Sequence, residues 1–384
     1  MNREWHQRLP SRRQGGDERN HFPTLGPILS WAGGRVSVAF VLCCCLCGCA
    51  HEFRTGDGVP QPLTRTVAGT GTQIDGHRKF NWEKLAIPVA DGVRVCTFDL
   101  ILSPAIGMKC PEYDSFNENA PRRLSICAAR VDMSDASIGL SVTGRADLWG
   151  QTMPRYWLQK LDSYTVRTVR QTALDFALEE DDIPERNVLI ACNATGWRPF
   201  VSWQDHPYAD KLGLIIREGV LVSPASSRRP ALVKRRCGSV KFEYVEENSD
   251  LSGIQTAVGA NLMCLAAGKP VDIAADNVLH PRTGLGLCPD KRYLYILVAD
   301  GRQNSSQGLT ISELGKWLRY LGAWDGVNMD GGGSSTFVWK EPQSGKLRLL
   351  NRPSGGKQRR NGSNMAIWLT DISKRRNHGI ISHP

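Results

Sequence analysis

The chain has 384 residues and a formal net charge of +10, with 41% hydrophobic and 22% charged residues. That length and balance exclude a fibrous or wholly disordered chain and provide for a sizeable buried core. The positive charge suits an acidic partner such as a phosphate or an anionic surface. The sequence has neither zinc-finger spacing nor a basic stripe interleaved with aromatics, which argues against nucleic acid.

In chain order, the first element is the uncharged run 36–48, VSVAFVLCCCLCG, preceded by Arg35. It is shorter than a bilayer-spanning helix and has the length of the apolar part of an export signal. Its end, Leu46-Cys47-Gly48-Cys49, resembles a bacterial lipobox. That resemblance implies cleavage before Cys49, acylation of Cys49 and stable attachment to a membrane, which needs more than one acyl chain. Residues 1–48 therefore read as a lipoprotein signal peptide, and 49–81, rich in Gly, Thr, Pro and Gln, as a linker. Residues 82–373 read as a single globular domain and 374–384 as a basic tail. Seven cysteines (96, 110, 127, 192, 237, 264 and 288) are dispersed without a C-x-x-C pair, which argues against a zinc knuckle. Export to an oxidising compartment permits disulfides of open connectivity, and the odd number leaves at least one thiol free.

Within the domain, Val93–Leu100 alternates as a strand, residues 104–124 are irregular, and Leu124–Val131 forms another strand. Tyr164–Glu180 has helical spacing, with Val169, Ala173, Phe176 and Ala177 on one face and Thr165 or Thr168 as cap. Val188–Cys192 is wholly apolar, as in a central strand, and delivers Asn193 at its end. Leu212–Ile216, Glu218-Gly219 and Val220–Val222 read as a hairpin. Tyr293–Ala299 is a further apolar strand ending at Asp300-Gly301-Arg302. Ile311–Leu321 reads as a helix, with Ser312 offering a cap and Gly322 a stop. Together these elements read as an α+β domain of mixed β-sheets flanked by helices.

The most informative stretch follows: Asn328-Met329-Asp330-Gly331-Gly332-Gly333-Ser334-Ser335-Thr336, between apolar residues on both sides. It reads as a strand ending in a tight turn from which a second strand leaves. Glycines let a backbone approach a ligand closely, and successive N–H groups can form an anion-binding nest. Taken alone, the same residues describe an ordinary flexible loop. Three strand ends thus deliver polar groups, at Asn193, at Asp300 with Arg302, and at Asn328 with Asp330.

These residues resemble the phosphodiester glycosidase domain family. The resemblance rests on Val298–Arg302, Ser306–Thr310, Asn328–Thr336, Asn193 after its strand, Arg282–Gly286, Asn351–Ser354 and Arg359-Arg360-Asn361. It covers roughly residues 90–372, weakly in the N-terminal third, and departs from the family pattern at Ala194–Trp197, Met329 and Ala299. It implies hydrolysis of the bond between a sugar's anomeric carbon and a phosphodiester oxygen. An oxocarbenium-like transition state calls for a carboxylate, and Asp300 and Asp330 are the candidates. Arg282, Arg302 and Arg360 are candidate phosphate clamps, since the planar guanidinium pairs two oxygens at once. Gly331, Gly332 and Gly333 would donate N–H groups, Ser334 and Ser335 hydroxyls, and Asn193 and Asn328 would hold sugar hydroxyls or orient the aspartates. His280 is as well explained as a satisfied loop histidine. The two aspartates could instead hold a divalent cation, though no metal-ligand spacing calls for one. The implied protein is an exported, lipid-anchored hydrolase of envelope or exopolysaccharide glycans. A non-catalytic phosphoglycan-binding lipoprotein and an exopolysaccharide-assembly accessory protein are the alternatives.

Overall fold

The computed structural model describes residues 79–153, 163–200, 206–210, 213–225 and 229–371. The export signal, Cys49, nearly all of the linker and the basic tail lie outside the described residues. Among those described, no helix is long and apolar enough to cross a membrane. Among the described residues, twenty strands, numbered in chain order, form three sheets and a short ribbon. The largest sheet runs β1 (Ile87–Ala90), β2 (Val93–Leu102), β3 (Arg122–Asp132), β16 (Tyr293–Ala299), β15 (Arg282–Leu287), β17 (Asp325–Asn328), β13 (Leu262–Ala266) and β14 (Lys269–Pro270). A second runs β19 (Leu347–Leu349), β18 (Phe337–Lys340), β6 (Arg186–Asn193), β20 (Asn364–Thr370) and β4 (Ile138–Val142). A third runs β11 (Val240–Tyr244), β10 (Pro230–Arg235), β12 (Ile254–Gly259), β8 (Ile215–Arg217) and β9 (Val220–Ser223). The ribbon pairs β5 (Thr168–Val169) with β7 (Tyr208–Ala209). Every strand pairing in the sheets is antiparallel, and the α-helices among the described residues are α1 (Trp82–Leu85), α2 (Ala173–Asp181) and α3 (Ile311–Leu321). The domain is therefore richer in β-structure than the expected α+β arrangement, and its sheets are antiparallel where mixed ones were expected.

Side-chain alternation explains why the apolar runs are continuous. Along β16, Leu294, Ile296 and Val298 enter a central core shared with β6, β18, β20, β10 and β12. Tyr295, Leu297 and Ala299 enter a second core beneath α1 and α3. A strand covered on both faces has no position left for a polar residue. The same holds for β6, where Val188 and Ala191 face α2 while Leu189, Ile190 and Cys192 face the central core. Both strands thus run through the middle of the molecule and carry their following residues, Asp300 and Ala194, to one end of it. The hairpin β8–β9 forms as expected, turning at Glu218-Gly219.

Two local expectations are corrected. Residues 164–172 are not helical: Tyr164, Val166, Thr168 and Arg170 are buried in alternation, and Thr168 and Val169 pair with the strand at 208–209. Helix α2 starts only after Thr172, whose side chain accepts from Asp175 N. Thr168 instead donates to Gly362 O at 2.6 Å. Helix α3 spans the expected residues, but its cap is Thr310, not Ser312. Thr310 accepts from Glu313 N, and the Glu313 carboxylate accepts from Thr310 N, a reciprocal capping box. Glu313 also accepts from Arg122 at 3.0 Å, which ties α3 to β3. Replacing Thr310 by alanine is expected to cost about 1 kcal/mol of unfolding free energy in urea titration.

All seven described cysteines are free, and six are buried. Burial pushes the thiols of Cys96 and Cys127 well up and that of Cys192 to about 12, so they behave as core residues.

Candidate active site

The glycine turn joins β17 of the largest sheet to β18 of the second, so it bridges two sheets at one end of the central core. Met329 N donates to Thr283 O at 2.8 Å, and Asp330 N donates to Ala194 O at 2.9 Å. Each glycine answers a local constraint. A Cβ on Gly331 would lie 2.7 Å from Pro281 O, and Gly332 has φ +61°. A Cβ on Gly333 would lie 2.5 Å from the Arg359 guanidinium. Three buried asparagines hold the turn in place. Asn193 donates to Asp330 O at 2.7 Å and accepts from Thr336 N and from the Thr283 hydroxyl. Asn351 donates to Ser335 O and accepts from Phe337 N. Asn361 lies against Ser334 O at 3.5 Å. The turn is therefore rigid, as a preorganised site requires.

The turn forms the floor of a cleft of about 610 Å³, within the range of small-molecule sites. Asp330 lies in this floor. Burial raises its pKa to about 6, opposed by the Ser334 side chain, the Arg359 charge, the Gly331 N–H and Arg198. The Ser334 hydroxyl favours the charged form without completing a well-formed hydrogen bond, and Asp330 Oδ2 has no hydrogen-bond partner. Gly196 leaves the space beside Asp330 Oδ1 open, since a Cβ there would sit 3.8 Å from that oxygen.

Four arginines line the cleft: Arg170, Arg282, Arg302 and Arg359. Arg282 is fixed by Leu309 O at 3.1 Å, and burial lowers its pKa to about 10, still fully charged at neutral pH. Arg302 has φ +59° and reaches both the Glu112 carboxylate and His280 Nδ1, the latter at 2.9 Å. Burial and then the two neighbouring arginines lower His280 to about 4, so its imidazole is neutral at pH 7. Arg170 donates to His206 O at 2.9 Å and stacks 4.3 Å from the Trp197 ring. Trp197 meets exposed Phe200 edge-on, with ring centroids 5.0 Å apart. Asn261 positions the strand end by donating to Met329 O at 2.8 Å, and Asn328 presents an unpaired Oδ1. Four guanidinium groups, the exposed Phe200 ring and two carboxylates, Asp330 and Glu112, thus share a single cleft.

Of the residues singled out in the sequence, the structure brings Asp330, Arg282, Arg302, Asn328, Gly331, Gly332 and Gly333 to the cleft. Asn193, Ser334 and Ser335 are buried behind it and support the turn. The Gly332 N–H is occupied by Pro281 O at 2.9 Å and is not a donor to the cleft. Asp300 does not line the cleft. Its carboxylate accepts from Asn351 Nδ2 at 2.8 Å and from Arg352 N at 3.0 Å, and burial raises its pKa to about 7. Asp300 reaches the turn only through Asn351, so the two aspartates do not share a ligand position for a cation. Among the described residues, no group of three or more His, Cys, Asp or Glu converges as a metal-ligand set. Arg360 is exposed and outside the cleft, and its neighbour Arg359 takes the place expected of it. Sequence reading assigned no site role to Glu112, Arg170, Phe200, Asn261 or Arg359.

Residues 188–368 match the family described as phosphodiester glycosidase. All of the cleft lining except Glu112 and Arg170 falls within that span. The SPbeta prophage-derived uncharacterized protein YomE of Bacillus subtilis strain 168 is 28% identical over 186 residues, which are 45% of this chain. The chain spans only 27% of the length of that curated relative. Among solved structures, the catalytic domain of zebrafish N-acetylglucosamine-1-phosphodiester alpha-N-acetylglucosaminidase, auto-inhibited by its pro-peptide, is similar with a TM-score of 0.49 and 19% identity. That similarity covers 74% of this chain and 84% of the zebrafish one. A putative exported protein from Burkholderia pseudomallei is similar with a TM-score of 0.45 and 13% identity, over 67% of this chain and 75% of that one.

Proposed function

Starting from a chain that carries a phosphodiester glycosidase domain, we propose that the protein hydrolyses the bond between a sugar's anomeric carbon and a phosphodiester oxygen, releasing the sugar and a phosphomonoester. The observation that carries this reading is one carboxylate, Asp330, with a buried and unpartnered Oδ2, on a rigid glycine turn in a cleft lined by four arginines. Asp330 acts in its ionised form, taking a proton from water as the water oxygen bonds to the anomeric carbon, or bonding to that carbon itself to give a glycosyl ester that water then opens at the same carbon, freeing the carboxylate. In either case the C–O bond to phosphate breaks and its electron pair stays on the phosphate oxygen. A phosphate leaves without a proton at neutral pH, since the second pKa of a phosphomonoester is about 6. One carboxylate therefore suffices where ordinary glycosidases use two. The guanidinium groups stabilise the charge that grows on the departing phosphate. The run 36–48 and Cys49 support an exported, lipid-anchored protein acting on envelope or exopolysaccharide material.

The test is a panel of sugar-1-phosphodiesters assayed for free sugar, with kcat/KM followed against pH. Because Asp330 must be ionised and its pKa is raised to about 6, kcat/KM should climb tenfold per pH unit below that value and level off above it. His280, already neutral above about 4, adds no break near neutrality. Absence of sugar release across the panel, with phosphoglycan still bound, would instead support a non-catalytic binding protein.

A further inference from the structure

His280 lines the cleft, yet the chemistry proposed above does not use it. Its backbone is fixed from two sides. His280 N donates to Leu309 O at 3.1 Å, and Leu309 N donates to His280 O at 2.9 Å. A Cβ on Gly308, which has φ +102°, would lie 2.4 Å from His280 O. The next residue, Pro281, accepts from Gly332 N of the glycine turn at 2.9 Å. Backbone atoms make all these contacts, so they place the residue beside the turn without requiring an imidazole. The imidazole itself meets a cation. Arg302 Nη2 lies 2.9 Å from His280 Nδ1, while Nη1 of the same guanidinium reaches the exposed Glu112 carboxylate. A guanidinium carries only N–H donors, so Nδ1 is the acceptor of this bond. The ring is therefore neutral, with its one proton on Nε2. Its pKa of about 4, lowered by burial and then by Arg282 and Arg302, agrees with that state. Nδ1 is thus engaged, and the Nε2–H has no hydrogen-bond partner among the described residues.

We infer that His280 donates its Nε2–H to an oxygen of the substrate's phosphate beside Arg302, as an uncharged hydrogen bond that strengthens while charge gathers on the departing group. The inference rests on the function proposed above and adds a substrate-contacting residue to that site. No proton is transferred: the phosphate leaves with the electron pair of the broken C–O bond, and the imidazole keeps its hydrogen. A neutral ring suits this place, because an imidazolium would repel Arg282 and Arg302. A donor fixed before the substrate arrives needs no reorganisation as the charge develops. The competing role for the same side chain is purely to hold Arg302 through Nδ1.

Three variants separate the two roles. An asparagine amide reaches the Nδ1 position and can accept from Arg302, whereas a glutamine amide reaches the Nε2 position and can donate from it. On a sugar-1-phosphodiester, His280→Ala should lower kcat about a hundredfold and raise KM severalfold at most, the scale of one lost donor to developing charge. His280→Asn should be as slow as His280→Ala, and His280→Gln should recover about tenfold of the loss. Independently of turnover, the ring nitrogens are read by NMR in full-length protein carrying nitrogen-15 histidine, with His280 assigned by its absence from the His280→Gln spectrum. At pH 7 the ring should be in the Nε2–H form, and inorganic phosphate should shift the Nε2–H signal. Activity recovered by His280→Asn and not by His280→Gln overturns the inference and leaves the glycosidase reading intact. So does an Nδ1–H or doubly protonated ring at pH 7, or an Nε2–H signal unmoved by phosphate that calorimetry shows to bind. A phosphate-dependent shift of that signal without turnover of any sugar-1-phosphodiester overturns the glycosidase reading and leaves His280 standing as a phosphate donor.

Discussion

Asp330→Asn should lower kcat on a sugar-1-phosphodiester by about a thousandfold or more while leaving KM within severalfold, because the lost group acts on the reacting carbon rather than on the bound phosphate. The same substitution should make the protein more stable at alkaline pH. The carboxyl lies in the floor of the cleft and its pKa is raised from 3.8 to about 6, so the folded state favours the protonated form. Its contribution to stability is fully present below about pH 4 and is lost as pH rises through about 6. Above that pH the ionised carboxylate costs about 3 kcal/mol, at 1.36 kcal/mol per pKa unit. Thermal unfolding of wild type and variant should therefore coincide near pH 4 and diverge in favour of Asp330→Asn by pH 8. Lost activity with gained stability marks a group placed for chemistry at the expense of the fold. A variant that loses both equally would mark Asp330 as structural.

Asn193→Ala has the second large expected effect. The asparagine is fully buried and serves Asp330 O and Thr336 N, both in the glycine turn, and the Thr283 hydroxyl on β15. Alanine leaves all three without their partner in a place that water reaches poorly, at about 1–3 kcal/mol for each such group. Partial relaxation brings the expected total to about 3–5 kcal/mol in urea unfolding. Because the side chain holds the carbonyl of Asp330 itself, the folded fraction should also show kcat reduced more than KM is raised. A change in stability with kcat per folded molecule unaltered would show that the turn keeps its geometry without Asn193.

The sequence was most informative where one physical requirement dominates. Strands β6 and β16 are legible because burial on both faces excludes polar residues, and α3 because Gly322 marks its end, although it starts from the capping box Thr310-x-x-Glu313 rather than from the expected Ser312. The turn at Asp330 is legible because three consecutive glycines are needed where Pro281, Arg302 and Arg359 crowd the backbone. Asp300 shows the limit. Its position at a strand end fixes where its backbone arrives, but not the direction of its side chain, which turns to Asn351 and Arg352. Arg359 and Arg360 are adjacent in a loop without periodicity, so nothing in the local pattern separates the one that lines the cleft from the one that does not. Arg170 was hidden because buried positions at every second residue overlap with helical spacing over so short a stretch. Glu112 comes from an irregular loop whose course only the packed structure defines.

The central claim is that water attacks the sugar's anomeric carbon rather than phosphorus. Turnover of a sugar-1-phosphodiester in water enriched in oxygen-18, read by mass spectrometry of both products, tests it most directly. The account predicts that the label appears at the sugar's anomeric hydroxyl and that the phosphomonoester carries none; label in the phosphate would show cleavage of the P–O bond and contradict it.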